Sequence, residues 1–126
     1  MPEPTSVLVV DDNEDLLDTF SLILKRRGFS VDTAANGAAA VEKFRAHPAD
    51  VILMDIIMPE MNGIDAVRKI MEFDSKTRIV MCSALGQQAL VQEAIAAGAK
   101  DFLIKPFNAA RVVEVIAKVF NQVPTA

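Results

Sequence analysis

The 126-residue sequence predicts one doubly wound α/β domain, and three observations carry that expectation. Short aliphatic runs alternate with helix-periodic stretches along the whole chain, as βαβ units on a parallel sheet require. The run Val51-Ile52-Leu53-Met54 passes straight into Asp55 and is closed by Pro59, which suits a strand buried on both faces. Other runs also end in polar residues, namely Asp11-Asp12, Ser83 and Lys105, and open parallel sheets place their chemistry at such C-terminal strand ends.

Met1 to Thr5, with two prolines, reads as a frayed lead-in, and Ser6 to Val10 as the first strand. Leu16, Leu17, Phe20, Ile23 and Leu24 recur at helical spacing until Arg26-Arg27-Gly28 supplies a cationic last turn and a C′ glycine. Phe29 to Ala34 is a second, weaker strand interrupted by Asp32, and Asn36-Gly37 leads into a helix over Ala38 to Ala46. After His47-Pro48 comes the Asp55 strand. Asn62-Gly63 then caps a third helix that turns Ile64, Val67, Ile70 and Met71 inward. Arg78 to Cys82 is the fourth strand and Gln87 to Ala97 the fourth helix, ended by Gly98. Asp101 to Ile104 forms the fifth strand. Asn108 caps a last helix whose Val112, Val113, Ile116, Val119 and Phe120 face the core.

A chain of this length with 52% hydrophobic residues buries a core of its own. No apolar run reaches membrane-spanning length and the start lacks a signal peptide's features. The lone Cys82 fits a reducing cytoplasm. A net charge of −4, no basic run and no Trp or Tyr argue against nucleic-acid binding. The expectation is a cytoplasmic protein that neither inserts in a membrane nor binds nucleic acid directly.

With strand order 2-1-3-4-5, the first and third strands meet at the topological switch point, so Asp11, Asp12 and Asp55 share a pocket. Two unit charges about 4 Å apart repel by roughly 4 kcal/mol at an effective dielectric near 20. Either one carboxylate takes up a proton or a cation enters. Oxygen ligands with an incomplete shell favour Mg²⁺ over Ca²⁺. Such a metal beside Lys105 and Ser83 suits a phosphoryl group, with Asp55 as the attacking oxygen.

Val9-Val10-Asp11-Asp12, Met54-Asp55-Ile56-Ile57-Met58-Pro59, Ser83-Ala84 and Lys105-Pro106 together resemble the receiver domain of two-component response regulators, from about Ser6 to Phe120. The resemblance implies a flavodoxin-like, CheY-like switch phosphorylated by a sensor histidine kinase. Asp55 would be the phosphoacceptor, Asp12 and Asp55 the Mg²⁺ ligands, with Asp11 acting mainly through water and the Ile57 backbone carbonyl completing the set. Ser83 is implied as switch hydroxyl, Phe102 as switch aromatic and Lys105 as phosphate partner across a cis Lys105–Pro106 bond. The readout face would be the fourth helix, fifth strand and fifth helix, with Gln88, Val91, Gln92, Lys100, Phe102 and Ile104 as candidates. The protein would be a switch with self-catalysed phosphotransfer rather than an enzyme, a monomer or a weak phosphorylation-dependent dimer. Ile57 and Leu85, bulky and apolar beside the phosphoryl position, imply slow self-dephosphorylation. Cys82 to Gln88 and Ala99 to Phe107 are similar to archaeal and thermophile chemotaxis receivers, whereas Asn13 to Leu17 looks like a general regulator.

Each residue also has a plainer reading. Asp11 and Asp12 cap the first helix, Ser83 caps the fourth, Lys105 is a surface lysine and Phe102 packs in the core. Cys82 reads as a small buried hydrophobe, His47 as surface and the methionines as packing. The chain is expected to be one receiver domain over residues 1–126 without an output domain, the alternative being a receiver cut from a longer transcriptional or enzymatic regulator. Rival classes are a haloacid-dehalogenase-type hydrolase, which needs a second Asp two residues past its nucleophile, and a flavodoxin-like cofactor binder, which needs a phosphate loop after the first strand. A scaffold that never takes phosphate is the third.

Overall fold

Aliphatic runs five residues long cannot bury both faces without helices above and below. The computed structural model, which describes residues 5–58, 61–105 and 108–120 (the last without its side chain), supplies them. The elements are β1 (Ser6–Val10), α1 (Glu14–Arg26), β2 (Ser30–Ala34), α2 (Gly37–Ala46), β3 (Val51–Asp55), α3 (Gly63–Phe73), β4 (Arg78–Ser83), α4 (Gln88–Ala97), β5 (Asp101–Ile104) and α5 (Ala109–Phe120). All ladders are parallel, in the order β2-β1-β3-β4-β5. The flavodoxin-like order expected from the sequence is the one observed.

Strand alternation divides the core in two. Ile52, Met54, Ile79 and Met81 pack against α2, α3 and α4 through Phe44, Ile64, Val67, Ile70 and Val91. Val51, Leu53, Val80, Cys82 and Leu103 pack against α1 and α5 through Leu17, Phe20, Leu24, Val112 and Ile116. β3 is buried along its full length, while the edge strand β2 alternates exposed and half-buried positions around Asp32.

Local chemistry sets the helix ends. Asn13 accepts from the N–H groups of Asp15 and Leu16, Asn36 from Ala39, Asn62 from Asp65 and Asn108 from Arg111, each relieving a first-turn donor. Some expectations shift. Phe29 precedes β2 rather than opening it, and Ser83 is the last residue of β4. Val113 is only half-buried and Val115 takes its place in the core. His47 is exposed, and Met54, Met58 and Met81 are buried packing, as expected. The Lys105–Pro106 bond and the Phe120 side chain lie outside the described residues.

Candidate functional site

The register brings the acids together. Val10 pairs with Met54, so the next residues, Asp11 and Asp55, stand level at the ends of adjacent strands. Counting from Val7, Val51 and Leu103, alternation turns Asp11, Asp55 and Lys105 to the α1–α5 side of the sheet. Ligand oxygens of Asp11, Asp12 and Asp55 all lie within 4.8 Å of one another. Asp11 and Asp55 are buried and Asp12 is exposed at the rim.

Lys105 Nζ bridges the two buried carboxylates, 3.4 Å from Asp11 Oδ2 and 3.3 Å from Asp55 Oδ1. Asp11 is fixed from the other side, its Oδ1 accepting from the Asn13 N–H at 2.9 Å. Asn13 is therefore the cap of α1, and neither aspartate is spent on that task. Burial pushes the Asp55 carboxyl above the ordinary carboxylate range; Lys105 opposes this and Asp11 adds to it. Burial pulls the Lys105 ammonium down, but the Asp55 and Asp11 carboxylates outweigh it and hold its pKa above the usual lysine value. Three carboxylates facing one ammonium remain short of positive charge, and an all-oxygen donor set of this kind fits a hard divalent cation.

The backbone after Asp55 is held by a contact the sequence reading missed. Gly63 N–H donates to the Ile56 carbonyl at 2.7 Å. A Cβ on Gly63 would stand 2.1 Å from the Asp55 carbonyl oxygen, so only glycine allows α3 to start against the end of β3. No pattern in Asn62-Gly63 distinguishes this close approach from an ordinary cap.

Ser83 lies on the strand beside Asp55, one residue past Cys82, the register partner of Asp55. Its alternation, with that of Phe102, follows Ile79 and Met81 to the α3–α4 side. Ser83 is buried, and Phe102 is half-buried against that core. Both line a cleft of about 190 Å³ with Leu85, Val91, Ile95 and Ile104. The sequence-predicted residues thus fall into two groups: an acid–lysine cluster on one side of the sheet edge, and Ser83 with Phe102 on the other. Ile57 is 54% exposed beyond β3 and Leu85 75% exposed beyond β4. Cys82, behind the cluster, is buried, and desolvation pushes its thiol up to about 12.

A doubly wound sheet whose C-terminal edge carries a carboxylate cluster clamped by a lysine belongs to the class of α/β domains that bind their ligands at the topological switch point. The model of the response regulator receiver domain matches residues 7–117. The chemotaxis protein CheY of Bacillus subtilis (strain 168) is 51% identical over 116 residues, covering 91% of this chain and 97% of that protein. CheY of Thermotoga maritima is 51% identical over 114 residues, 90% of this chain and 95% of that one. Among solved structures, the Vibrio cholerae chemotaxis protein CheY4 has a TM-score of 0.88 at 32% identity, covering 92% and 98% of the two chains. The chain belongs to the response regulator receiver domain family. It is a phosphorylation-dependent switch of two-component signalling rather than a conventional enzyme. Receiver domains bind Mg²⁺ and work between histidine kinases and downstream targets. Among the described residues no helix is long and apolar enough to cross a membrane.

Proposed function

We propose that Asp55 accepts a phosphoryl group from a phosphohistidine of a partner kinase. The observation that carries the reading is Lys105, held between Asp11 and Asp55 at a carboxylate cluster open to solvent through Asp12. An Asp55 oxygen attacks phosphorus, a P–O bond forms and the P–N bond breaks, and the electron pair leaves with the imidazole. Lys105 neutralises one equatorial oxygen and the Ser83 hydroxyl donates to another. Asp11, Asp12, Asp55 and the Ile57 backbone carbonyl are the residues that would hold Mg²⁺, which when bound supplies neutralising charge to the phosphoryl oxygens. Self-catalysis here means positioning and charge neutralisation by these residues.

The output is a change on the face formed by α4, β5 and α5, where Gln88, Val91, Gln92, Lys100, Phe102 and Ile104 are the candidates for partner contact. Two CheY relatives at 51% identity support a chemotaxis pathway. Incubation with acetyl phosphate and Mg²⁺ tests the reading. Intact mass is expected to rise by one phosphoryl group in the wild type and to stay unchanged in Asp55→Asn; an unmodified wild type sinks it.

The acyl phosphate is expected to be long-lived. Ile57 and Leu85 present exposed aliphatic side chains beyond β3 and β4, and neither can orient a hydrolytic water. Ile57→Asn combined with Leu85→Glu should shorten the phosphoryl half-life about tenfold, below the roughly 10²–10⁴-fold that a well-positioned general acid or base contributes. An unchanged decay rate refutes the role of these two residues.

A further inference from the structure

The loop between β4 and α4 contains a hydrogen bond from a backbone N–H to a side-chain amide, Ala84 to Gln87. β4 hands its backbone groups alternately to its two neighbours. The Cys82 carbonyl accepts from Ile56 N–H on the β3 side at 3.2 Å, and the Ser83 carbonyl accepts from Lys105 N–H on the β5 side at 2.7 Å. One residue further, the same alternation returns the Ala84 N–H to the β3 side, past the end of that strand at Asp55. Among the described residues no ladder partner receives it there.

The acceptor comes instead from the Gln87 side chain, whose Oε1 lies 2.7 Å from Ala84 N. Gln87 N–H donates back to the Ala84 carbonyl at 3.3 Å, closing a loop that Gly86 completes at φ 91°. Gln87 occupies the N-cap position of α4, yet its side chain caps none of the helix's first-turn N–H groups. One amide oxygen therefore ties the backbone donor on the Asp55 side to the first turn of α4.

We propose that Gln87 is a latch: it occupies the Ala84 N–H in the unphosphorylated protein, and a phosphoryl oxygen on Asp55 displaces it from that donor. A hydrogen bond to an anionic oxygen is stronger than one to a neutral amide oxygen, so the exchange runs towards release once the charge arrives. The freed Gln87 oxygen can then turn to the uncapped first turn of α4. Gln87 is thus a positioning residue that links the phosphoryl site to α4, and its role rests on Asp55 being the phosphoacceptor.

Titration with the phosphoryl analogue beryllofluoride in the presence of Mg²⁺ tests this, with amide spectra of ¹⁵N-labelled wild type, Gln87→Ala, Gln87→Glu and Asp55→Asn. Gln87→Ala removes the competing acceptor and is expected to tighten beryllofluoride binding roughly three- to tenfold, the range of one neutral hydrogen bond. Gln87→Glu strengthens the competitor and is expected to weaken binding. The Ala84 amide resonance should differ between wild type and Gln87→Ala when free and coincide when bound. Unchanged or weaker binding in Gln87→Ala, or a shift in the same direction in both Gln87 variants, overturns the latch while binding that is lost in Asp55→Asn leaves the phosphoacceptor reading standing. A wild type that binds no beryllofluoride removes that reading and the latch with it.

Discussion

Burial sets the Asp55 carboxyl against carrying its own charge. Its carboxyl is raised from 3.8, first by burial and then by Asp11 and Asp12, with Lys105 only partly offsetting them. A raised carboxyl favours the folded state below its unfolded pKa, and that contribution is lost as pH climbs through the folded value. Without divalent cation, Asp55 therefore favours the fold less as pH rises through that folded value. Asp55→Asn should unfold at higher urea than wild type at pH 7, and its advantage should shrink as pH falls towards 4. A wild type as stable as the variant at pH 7 in EDTA contradicts this. Lys105 has the opposite effect: its raised pKa stabilises the fold below about 10.5 and that contribution is lost only above its folded value. Lys105→Ala leaves Asp11 and Asp55 facing each other and should cost about 1–3 kcal/mol, discounted for the lysine's partial exposure. Cys82 offers a simpler check. With 3% exposure and a thiol pushed up to about 12, it should resist iodoacetamide at pH 8 in the folded protein and react only on unfolding. These acids were legible in the sequence because each follows an aliphatic run, and the strand period turns such positions to one edge.

The segment from β3 to α3 shows where that legibility stops. Gly63 approaches the Asp55 carbonyl to within what a Cβ cannot tolerate, and Gly63→Ala must push α3 away from the end of β3. A cost of about 1–3 kcal/mol is expected for such overpacking, read as a lower urea midpoint together with reduced acetyl phosphate labelling. An Ala variant of wild-type stability would mean that α3 adapts freely. In the sequence, Asn62-Gly63 carries only a capping signal, because the clearance between two elements is a tertiary quantity. Gln87 is hidden for the same reason: its bond to Ala84 depends on where β4 stops and how Gly86 turns the chain. β1, β3 and β5 were legible to the residue, since polar residues bound each short apolar run. Phe29 was not, because the αL turn at Gly28 holds the Phe29 N–H on the Leu24 carbonyl and delays β2 to Ser30. Val115 was passed over for Val113 because two valines spaced two apart straddle the inward stripe of α5, and only packing against the sheet chooses between them.

The sheet separates the charged cluster from the cleft beside α4, and this division sets the last expectation. Asp11, Asp55 and Lys105 turn to the α1–α5 side, whereas Ser83, Phe102 and the cleft beside α4 lie on the other. In the proposed mechanism a phosphoryl group on Asp55 would reach the second side through groups at the sheet edge, chiefly the Ser83 hydroxyl. Moving a two-state equilibrium from 1:99 to 99:1 takes about 5.5 kcal/mol, and a hydrogen bond to a charged group contributes roughly 1.5–3 kcal/mol. Ser83 can therefore supply a large share of the drive. Ser83→Ala should still be phosphorylated by acetyl phosphate, yet its ratio of switched to unswitched molecules should fall roughly ten- to hundredfold. In amide spectra with beryllofluoride, wild type is expected to shift residues of α4 and β5, including Phe102 and Ile104, while α2 stays fixed. Ser83→Ala should show bound-site shifts near Asp55 with attenuated shifts at Phe102. Full shifts at Phe102 in the absence of the hydroxyl would mean that the sheet edge transmits the charge by another route, and the division of labour between Asp55 and Ser83 would have to be abandoned.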